Sequence, residues 1–504
     1  MKPLVAVAAF FAMLPGPSAS AHAQPEPFRP QFHFSPERNW MNDPNGMVFY
    51  DGEWHVFFQY NPYGDKWGHM SWGHAVSRDL LHWSQLPLAL AEEEGIMMFS
   101  GSAVVDWKNT SGFGRNGKPP LVAIYTGHRT GRQDQRLAFS NDRGRTWTKV
   151  PGPVLDLHMA DFRDPRVFWH QPTSRWVMAV ALPNAKKVNF YTSRDLKQWK
   201  YVGDFGSAGA VGGQWECPDL FELQVEGGGK KWVLIVNINP GGPAGGSGTQ
   251  YFTGKFDGTR FVADEAVKDI RWADYGPDFY AAVSWNDVPK SDGRRLWLAW
   301  MSNWLYGQDV PTSPWRSAMT VPRELSLRRT PDGLRLVQKP VVELNKLRLP
   351  SPLRFAGGTF AAAAQWLAAH NDLPPLLDVE MRFTGVNGKA PFTVRVNTAS
   401  GELTSILIDP TRNGLVLDRS HSGRIDFHRD FFAAHDAPLR VDNGEIVVRF
   451  LLDASSIEVF AQRGETSVTE LIFPTSGSRS LTVASEGATP NVRAITIHAL
   501  KSAR

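Results

Sequence analysis

Hydrophobic and polar residues alternate along the last third of the chain. Runs such as 378–385 (DVEMRFTG) and 392–398 (FTVRVNT) have the period of two that is typical of half-buried strands. Helical periodicity is scarce, and its clearest example is the short run 359–370. The pattern predicts an antiparallel β-sandwich over residues 356–504. Two prolines within residues 346–355 predict a linker in front of it.

A longer period runs through the first two thirds of the chain. Short apolar or aromatic strands open with a polar cluster at five places, which begin at Asp43, Ser100, Asp164, Glu216 and Asp278 and lie 57, 64, 52 and 62 residues apart. Self-similarity at this spacing, with several strands per period, is typical of propeller blades. The sequence therefore predicts an all-β protein with a five-bladed β-propeller over residues 28–345. The alternative is a β-sandwich with coincidental turns, whose strands would recur every 8–12 residues or so without the longer period.

A second repeat interleaves with the first. Residues 77–83 (SRDLLHW), 140–147 (SNDRGRTW) and 193–199 (SRDLKQW) resemble one another, and a fainter copy lies at 251–258. Each joins two β-rich runs through a turn with Asp or Gly, which is the pattern of a hairpin.

The N-terminus has the order of a secretory signal. Lys2 precedes an apolar run at 4–14, and residues 21–23 (AHA) form a small-x-small cleavage site. The run is too short to cross a membrane, so we expect a signal peptide at 1–23, cleavage near Ala23, and a secreted protein, extracellular or periplasmic, with no membrane span. The alternative is a buried N-terminal helix.

Composition excludes several classes of protein. The single cysteine, Cys217, rules out an internal disulfide and any multi-cysteine metal site. Lysine and arginine total 54 against 50 acidic residues, a net charge of +4, and no basic run stands out, so no nucleic-acid partner is predicted. The histidines around His69 and His74 lack the HExxH spacing of a zinc site. We expect no metal and no cofactor, and no oligomeric state follows from the sequence.

Three carboxylates open strands of different blades. The first strand of each propeller blade lines the central channel, so Asp43, Asp164 and Glu216 are expected to converge on one axial pocket. Each is followed closely by a proline, which restricts the backbone beside it. Carboxylates brought together raise one another's proton affinity, and a pocket with one ionised and one protonated carboxyl is what glycoside hydrolysis requires. The alternative is that these acids cap turns or pair with Arg163 and Arg166.

The motifs around these acids resemble a known family. Residues 40–46 (WMNDPNG), 162–165 (FRDP) and 215–219 (WECPD) are similar to the three signature motifs of glycoside hydrolase family 32, which includes invertases, inulinases and levanases. Residues 99–102 (FSGS) and 455–460 (SSIEVF) also resemble that family. The resemblance spans essentially the whole mature chain and implies the same propeller and sandwich.

The same resemblance implies a role for each acid. Asp43 would be the nucleophile, Glu216 the general acid/base and Asp164 the stabiliser of the transition state. The family retains anomeric configuration, which predicts that the carboxyls of Asp43 and Glu216 lie about 5–5.5 Å apart.

Further residues are candidates for binding the substrate. Asn42, beside Trp40 and Met41 in the first motif, could donate a hydrogen bond to Asp43, and Arg163 could orient the ring or a neighbouring acid. By resemblance, five more match positions that contact the terminal fructose, namely Gln59, Trp67, Phe99, Ser100 and Trp304. Each tryptophan taken alone could equally be a packing residue.

The segments 58–74 and 308–316 look most like those of exo-acting fructanases. We therefore expect a retaining exo-β-fructosidase acting on a fructan or sucrose substrate. A fructosyltransferase with the same covalent intermediate and a non-catalytic sugar-binding propeller are the alternatives.

Overall fold

The computed structural model describes residues 26–264 and 266–504. The predicted signal peptide, residues 1–23, lies outside the described residues. The predicted helix within 359–370 is present as α1 (Phe360–Ala368), and the hydroxyl of Thr359 caps it by accepting a 3.2 Å hydrogen bond from the N–H of Ala362. Short 3₁₀ helices occur at Gln171–Thr173, Val342–Leu347 and Gln462–Gly464. None of the helices described in these two ranges is long and apolar enough to span a membrane.

Five antiparallel sheets, which we call blades, follow one another along the chain. Blade 1 contains β1 (Asn39–Tyr50), β2 (Glu53–Tyr60), β3 (Ser71–Ser77) and β4 (Ser84–Leu90). Blade 2 contains β5 (Met97–Val105), β6 (Leu121–Arg129), β7 (Arg132–Ser140), β8 (Thr148–Lys149) and β9 (Leu155–Met159). Blade 3 contains β10 (Arg163–His170), β11 (Arg175–Leu182), β12 (Lys187–Ser193) and β13 (Lys200–Gly206). Blade 4 contains β14 (Gln214–Gln224), β15 (Lys230–Asn239), β16 (Gly248–Phe256) and β17 (Phe261–Ala263). Blade 5 contains β18 (Tyr280–Ser284), β19 (Arg295–Met301), β21 (Ala318–Met319), β22 (Arg323–Thr330) and β23 (Gly333–Pro340), and the short β20 (Trp315–Arg316) precedes β21.

The blades close into a ring. The inner strands β1, β5, β10, β14 and β18 contact one another in that order, and β18 contacts β1 again. Strand β20 runs out of blade 5 and pairs in parallel with β1, joining the last blade to the first. Hydrophobic clusters fill the spaces between neighbouring blades. The predicted five-bladed propeller is confirmed.

The repeated Ser-x-Asp segments are the hairpins between the third and fourth strands of blades 1 to 3. In the first, the hydroxyl of Ser77 donates to Asp79, and the indole N–H of Trp83 donates to the carbonyl of Leu80. The copies at 140–147 and 193–199 make the same two hydrogen bonds. The short-range repeat therefore reflects one turn used three times.

Each inner strand carries a β-bulge near its start. The pairing register shifts between Met41 and Pro44 in β1, and at the corresponding level of the other four inner strands. Asp164 and Cys217 lie in these bulges with φ of +64° and +42°. A bulge bends its strand and re-aims the side chains beside it, so all five blades turn side chains toward the axis at the same depth.

The C-terminal region forms a β-sandwich, as predicted. Its strands are β24 (Leu353–Phe355), β25 (Gly358–Thr359), β26 (Leu377–Thr384), β27 (Phe392–Thr398), β28 (Leu403–Asp409), β29 (Gly414–His421), β30 (Ala434–Pro438), β31 (Glu445–Leu452), β32 (Ser456–Ala461), β33 (Thr466–Leu471), β34 (Arg479–Ser485) and β35 (Asn491–Ala499). One sheet has the order β24-β35-β26-β31-β32-β33 with β25 also on β35, and the other has the order β30-β29-β28-β27-β34. One hydrophobic cluster fills the space between them. The last three residues of the predicted linker form β24, which pairs with β35.

Buried charges join the sandwich to the propeller. Asp278, which opens the fifth repeat, accepts hydrogen bonds from the hydroxyl of Tyr306 at 2.7 Å and from the N–H of Leu471 at 2.8 Å. Arg419 of β29 donates to the same carboxylate at 2.5 Å. Asp278 therefore lies at the contact between the two regions rather than at the axis.

Candidate active site

Asp43 lies at the bulge of β1, held by two donors. The amide of Asn42 donates to its Oδ1 at 3.0 Å, and the hydroxyl of Ser100 donates to its Oδ2 at 3.0 Å. The indole N–H of Trp40 donates to the amide oxygen of Asn42 at 2.7 Å and so fixes that amide's orientation. Burial and the charge of Glu216 raise the pKa of Asp43, and the hydrogen bonds from Asn42 and Ser100 oppose that rise.

Asp164 lies at the bulge of β10, next to Asp43. Its own N–H donates to the hydroxyl of Thr126, and its Oδ2 accepts the N–H of Cys217 at 2.9 Å. The thiol sulfur of Cys217 lies 3.5 Å from Oδ2 of Asp43 and 3.6 Å from Oδ2 of Asp164. Burial, opposed by Arg163 and reinforced by Glu216 and Asp43, raises the pKa of Asp164 to about 7.

Glu216, on β14, is held on both carboxylate oxygens. Arg163 donates to its Oε1 from Nε at 3.0 Å and from Nη2 at 2.8 Å, and the hydroxyl of Tyr280 donates to its Oε2. Arg163 is in turn held by Asp161 at 2.8 Å and by Gln214 at 2.9 Å. The carboxyl of Glu216 is therefore positioned by blades 3 and 5, while 19% of its side chain stays exposed to the pocket.

The structure thus brings together three carboxylates from blades 1, 3 and 4. Asp43 and Asp164 meet at Cys217, and the charge of Glu216 acts on both of them. Closely spaced carboxylates hold different proton occupancies, and this arrangement suits general acid/base chemistry combined with nucleophilic attack.

Sequence comparison agrees with this geometry. The N-terminal domain of the glycosyl hydrolases of family 32 matches residues 33–340, and the C-terminal domain of the same family matches residues 365–499. The chain belongs to glycoside hydrolase family 32.

Two relatives align with nearly the whole of this chain. A levanase from Bacillus subtilis (strain 168) is 47% identical over 512 residues, covering 99% of this chain and 75% of that protein. An extracellular exo-inulinase from Aspergillus awamori is 39% identical over 502 residues, covering 92% of this chain and 93% of that protein.

Solved structures show the same fold. A crystal structure of exo-inulinase from Aspergillus awamori has a TM-score of 0.87 at 38% identity, covering 95% of this chain and 99% of that one. A β-fructofuranosidase from Schwanniomyces occidentalis, complexed with fructosyl-erythritol, has a TM-score of 0.86 at 33% identity. The match covers 94% of this chain and 98% of that one. The likeness to these family 32 structures includes both the propeller and the sandwich.

The other predicted residues fall into two groups. Trp67, 39% exposed, lies at the rim with its ring 6.1 Å from that of Phe99, and Phe99 precedes Ser100. The ring of Trp304 lies 5.9 Å from that of Trp40. Phe99 and Trp304 are half-buried and pack against the hydrophobic cluster that contains Trp40.

The second group is buried. Trp40 and Met41 have no exposed surface and pack in the cluster between blades 1 and 5, behind Asn42 and Asp43. Gln59 is buried and donates a 2.9 Å hydrogen bond to the carbonyl of Met98, next to Phe99. Trp40, Met41 and Gln59 are thus buried beside the site, whereas Trp67 is exposed and Phe99 and Trp304 are half-buried.

Sequence reasoning missed Tyr280 and the position of Cys217. Tyr280 is the first residue of β18 and lies two residues after Asp278, which begins the fifth repeat. The repeat was located from its acidic residue, so the tyrosine was not identified as a candidate. Burial and the charges of Asp164 and Asp43 raise the pKa of the Cys217 thiol well above its usual range. Cys217 is therefore a neutral spacer between two carboxylates, not a thiolate nucleophile.

Proposed function

We propose that this chain is a secreted, retaining exo-β-fructosidase that hydrolyses terminal β-D-fructofuranosyl residues of levan, inulin and/or sucrose. The observation that carries the proposal is the pairing of two differently held carboxyls in one pocket. Asp43 receives hydrogen bonds from Asn42 and Ser100, as a nucleophile needs, while Glu216 is oriented by Arg163 and Tyr280 and stays accessible. The levanase and exo-inulinase relatives support the choice of substrate.

The reaction takes two balanced steps. In the first, a carboxylate oxygen of Asp43 attacks the anomeric carbon, the bond to the leaving oxygen breaks, and Glu216 gives that oxygen its proton. In the second, Glu216 takes a proton from water, the water oxygen attacks the same carbon, and Asp43 leaves as a carboxylate. Two inversions give net retention, and Glu216 ends with the proton it started with.

Asp164 acts on the sugar without forming a bond to it. Burial and the charges of Glu216 and Asp43 raise the pKa of Asp164, so its carboxyl takes up a proton more readily than an ordinary aspartate and can accept or donate hydrogen bonds to ring hydroxyls. Its remaining negative charge supports the positive charge that develops at the ring in the transition state. Fixed in the bulge by Cys217 and Thr126, it needs no reorganisation during the reaction.

Aromatic residues near the acids support the exo mode. Trp67, whose ring lies 6.1 Å from that of Phe99, and Trp304, packed on Trp40, offer apolar faces that suit the C–H surfaces of a single terminal ring and would form the mouth of the site. Met41 and Gln59 support this mouth from behind. Export fits the N-terminal signal pattern, with cleavage near Ala23, and the Aspergillus relative described as extracellular.

The test is ion-exchange analysis of products from sucrose, inulin and levan over time. An exo-hydrolase releases free fructose from the first time point, with no intermediate oligosaccharides from the polymers. Early accumulation of oligofructosides would overturn the exo mode, and longer oligosaccharides at high sucrose would identify a fructosyltransferase instead. No fructose from any of the three would overturn the proposal altogether.

A further inference from the structure

A second cavity lies at the opposite mouth of the propeller channel. It measures about 850 Å³ and is lined by the far ends of the inner strands, including Phe168–His170 of β10 and Leu220–Glu222 of β14. Trp169 lies near the far end of β10, and Arg166, which lines both this cavity and the small space beside Asp164, stands between them. The cavity is thus well separated from the three acids, and its size is in the range of about 300–1,000 Å³ typical of ligand sites.

Little space lies between the acids and this cavity. The described residues that follow Asp43, Asp164 and Glu216 along their strands enclose about 10 Å³, room for roughly one water molecule. Arg166 pairs with Asp219 at 2.7 Å, and the amide of Asn286 donates to the carbonyls of Ala103 and Val167. A sugar in the far cavity therefore cannot reach Asp43.

Tryptophans with fixed orientations form the wall of this cavity. Trp107 is 61% exposed, yet its indole N–H donates a 2.9 Å hydrogen bond to Oδ1 of Asp287. The other carboxylate oxygen of Asp287 accepts the N–H of Val105 at 2.9 Å, so this anchor is itself held by the backbone. Trp176, which is buried, is fixed likewise by a 2.9 Å hydrogen bond to the hydroxyl of Thr110. Of the two, Trp107 is the exposed but immobilised indole, which provides a stacking face at low entropic cost.

The charges around the cavity favour a neutral polar ligand. The described lining carries four carboxylates and four lysine or arginine side chains, so neither sign dominates. Lys108 places its ammonium 4.8 Å from the ring centre of Trp169, setting a hydrogen-bond donor against the aromatic wall. Flat apolar faces interleaved with donors and acceptors match the C–H faces and hydroxyls of a sugar.

We propose that this cavity is a non-catalytic binding site for a neutral oligosaccharide, occupied by a segment of the fructan chain. The identity of the sugar rests on the proposed function, whereas the existence of the site rests on the cavity alone. A polymer held here keeps the enzyme on its substrate between turnovers, while sucrose gains nothing from it.

The experiment is affinity electrophoresis in native gels containing levan or inulin. Asp43→Asn serves as the background, so that the polymer is not consumed during the run. Adding Trp107→Ala or Lys108→Met should weaken retention, by about five- to tenfold for the tryptophan, and Trp107→Phe should fall between. Phe432→Ala, which removes a comparably exposed aromatic ring from the loop between β29 and β30, is the matched control and should change nothing.

The same substitutions in the active enzyme complete the test. We expect sucrose hydrolysis by Trp107→Ala and Lys108→Met to match the parent, with a raised KM confined to the polymers. Unchanged retention of both cavity variants on both polymers would overturn this inference, even if the enzyme releases fructose normally. If the unsubstituted chain releases no fructose but retention in the gel still depends on Trp107, the proposed function is overturned and the inferred binding site is supported.

Discussion

The hydroxyl of Ser100 in blade 2 donates a 3.0 Å hydrogen bond to Oδ2 of Asp43 in blade 1. This bond crosses a blade boundary and exists because the bulges of β1 and β5 lie at the same depth. It favours the ionised form of Asp43, against burial and the charge of Glu216, which raise the pKa of Asp43. The propeller thus lowers the proton affinity of Asp43, the proposed nucleophile, with a side chain from a neighbouring blade.

Ser100→Ala should move the acidic limb of the kcat/KM–pH profile to higher pH. The pKa of Asp43 is already raised, and losing a donor to its carboxylate raises it further, so more of the enzyme is protonated and inactive at a given acidic pH. Activity should therefore fall more at about pH 5 than at about pH 7. Ser100→Thr keeps a hydroxyl, so the acidic limb of its kcat/KM–pH profile should coincide with that of the parent. An acidic limb that coincides for the alanine variant and the parent would contradict this role.

Glu216→Gln should lose activity according to the leaving group. General acid catalysis contributes about 10²–10⁴-fold, and an activated aryl fructoside needs little protonation of its leaving oxygen. We therefore expect a loss in that range with sucrose and a much smaller loss in fructosylation by the aryl substrate, measured as the burst of released phenol. Glu380→Gln, on the sandwich, is the control and should behave like the parent. Equal losses on both substrates would rule out the acid role.

His33 should make stability depend on pH above neutrality. Its ring nitrogens each lie 2.7 Å from a buried carboxylate, of Asp453 and of Glu458. Burial alone would lower the pKa of His33, but these two acids outweigh it and raise the pKa to about 9. The folded-state value exceeds the ordinary 6.5, so the stabilisation is complete below pH 6.5 and is lost as pH rises through 9.

Thermal unfolding between about pH 6 and pH 10 measures this effect. The parent's Tm should fall across the upper part of that range. His33→Gln should be destabilised by about 3–5 kcal/mol at neutral pH, since it leaves the buried carboxylate of Asp453 without a cation and leaves Glu458 with Arg323 alone. The Tm of this variant should also depend less on pH in that range. His82→Gln, which removes an exposed histidine paired with Asp79, should follow the parent. If the Tm of His33→Gln and that of the parent change with pH in parallel, His33 is not a buried cation in the folded protein.

Much of the fold was predictable because the blade repeats its own local chemistry. The long period located the five inner strands, and the Ser-x-Asp segments located hairpins whose hydrogen bonds are local. Asp278 shows the limit of that reasoning. It opens the fifth repeat but binds Arg419, about 140 residues later, and only the packing of sandwich on propeller creates that pair.

The three acids of the candidate site were predictable from the sequence, but the residues that position them were not. Asp43, Asp164 and Glu216 stand in short motifs that can be read along the chain. The donation from Tyr280 to Glu216 crosses from blade 5 to blade 4, and the place of Cys217 between two acids depends on a bulge with positive φ. The far cavity is lined by strand ends and loops of four blades, so no continuous sequence motif predicts it.

Rescue by azide tests the central claim, that Asp43 and Glu216 act on one fructosyl ring as nucleophile and acid/base. In Glu216→Ala with an activated aryl fructoside, Asp43 still forms the covalent intermediate, and azide, which needs no general base, should restore turnover and yield β-fructosyl azide. In Asp43→Gly, azide should enter the vacated space and yield the α anomer. NMR assignment of the two products decides the matter: α-fructosyl azide from the Glu216 variant, or β-fructosyl azide from the Asp43 variant, would contradict the account.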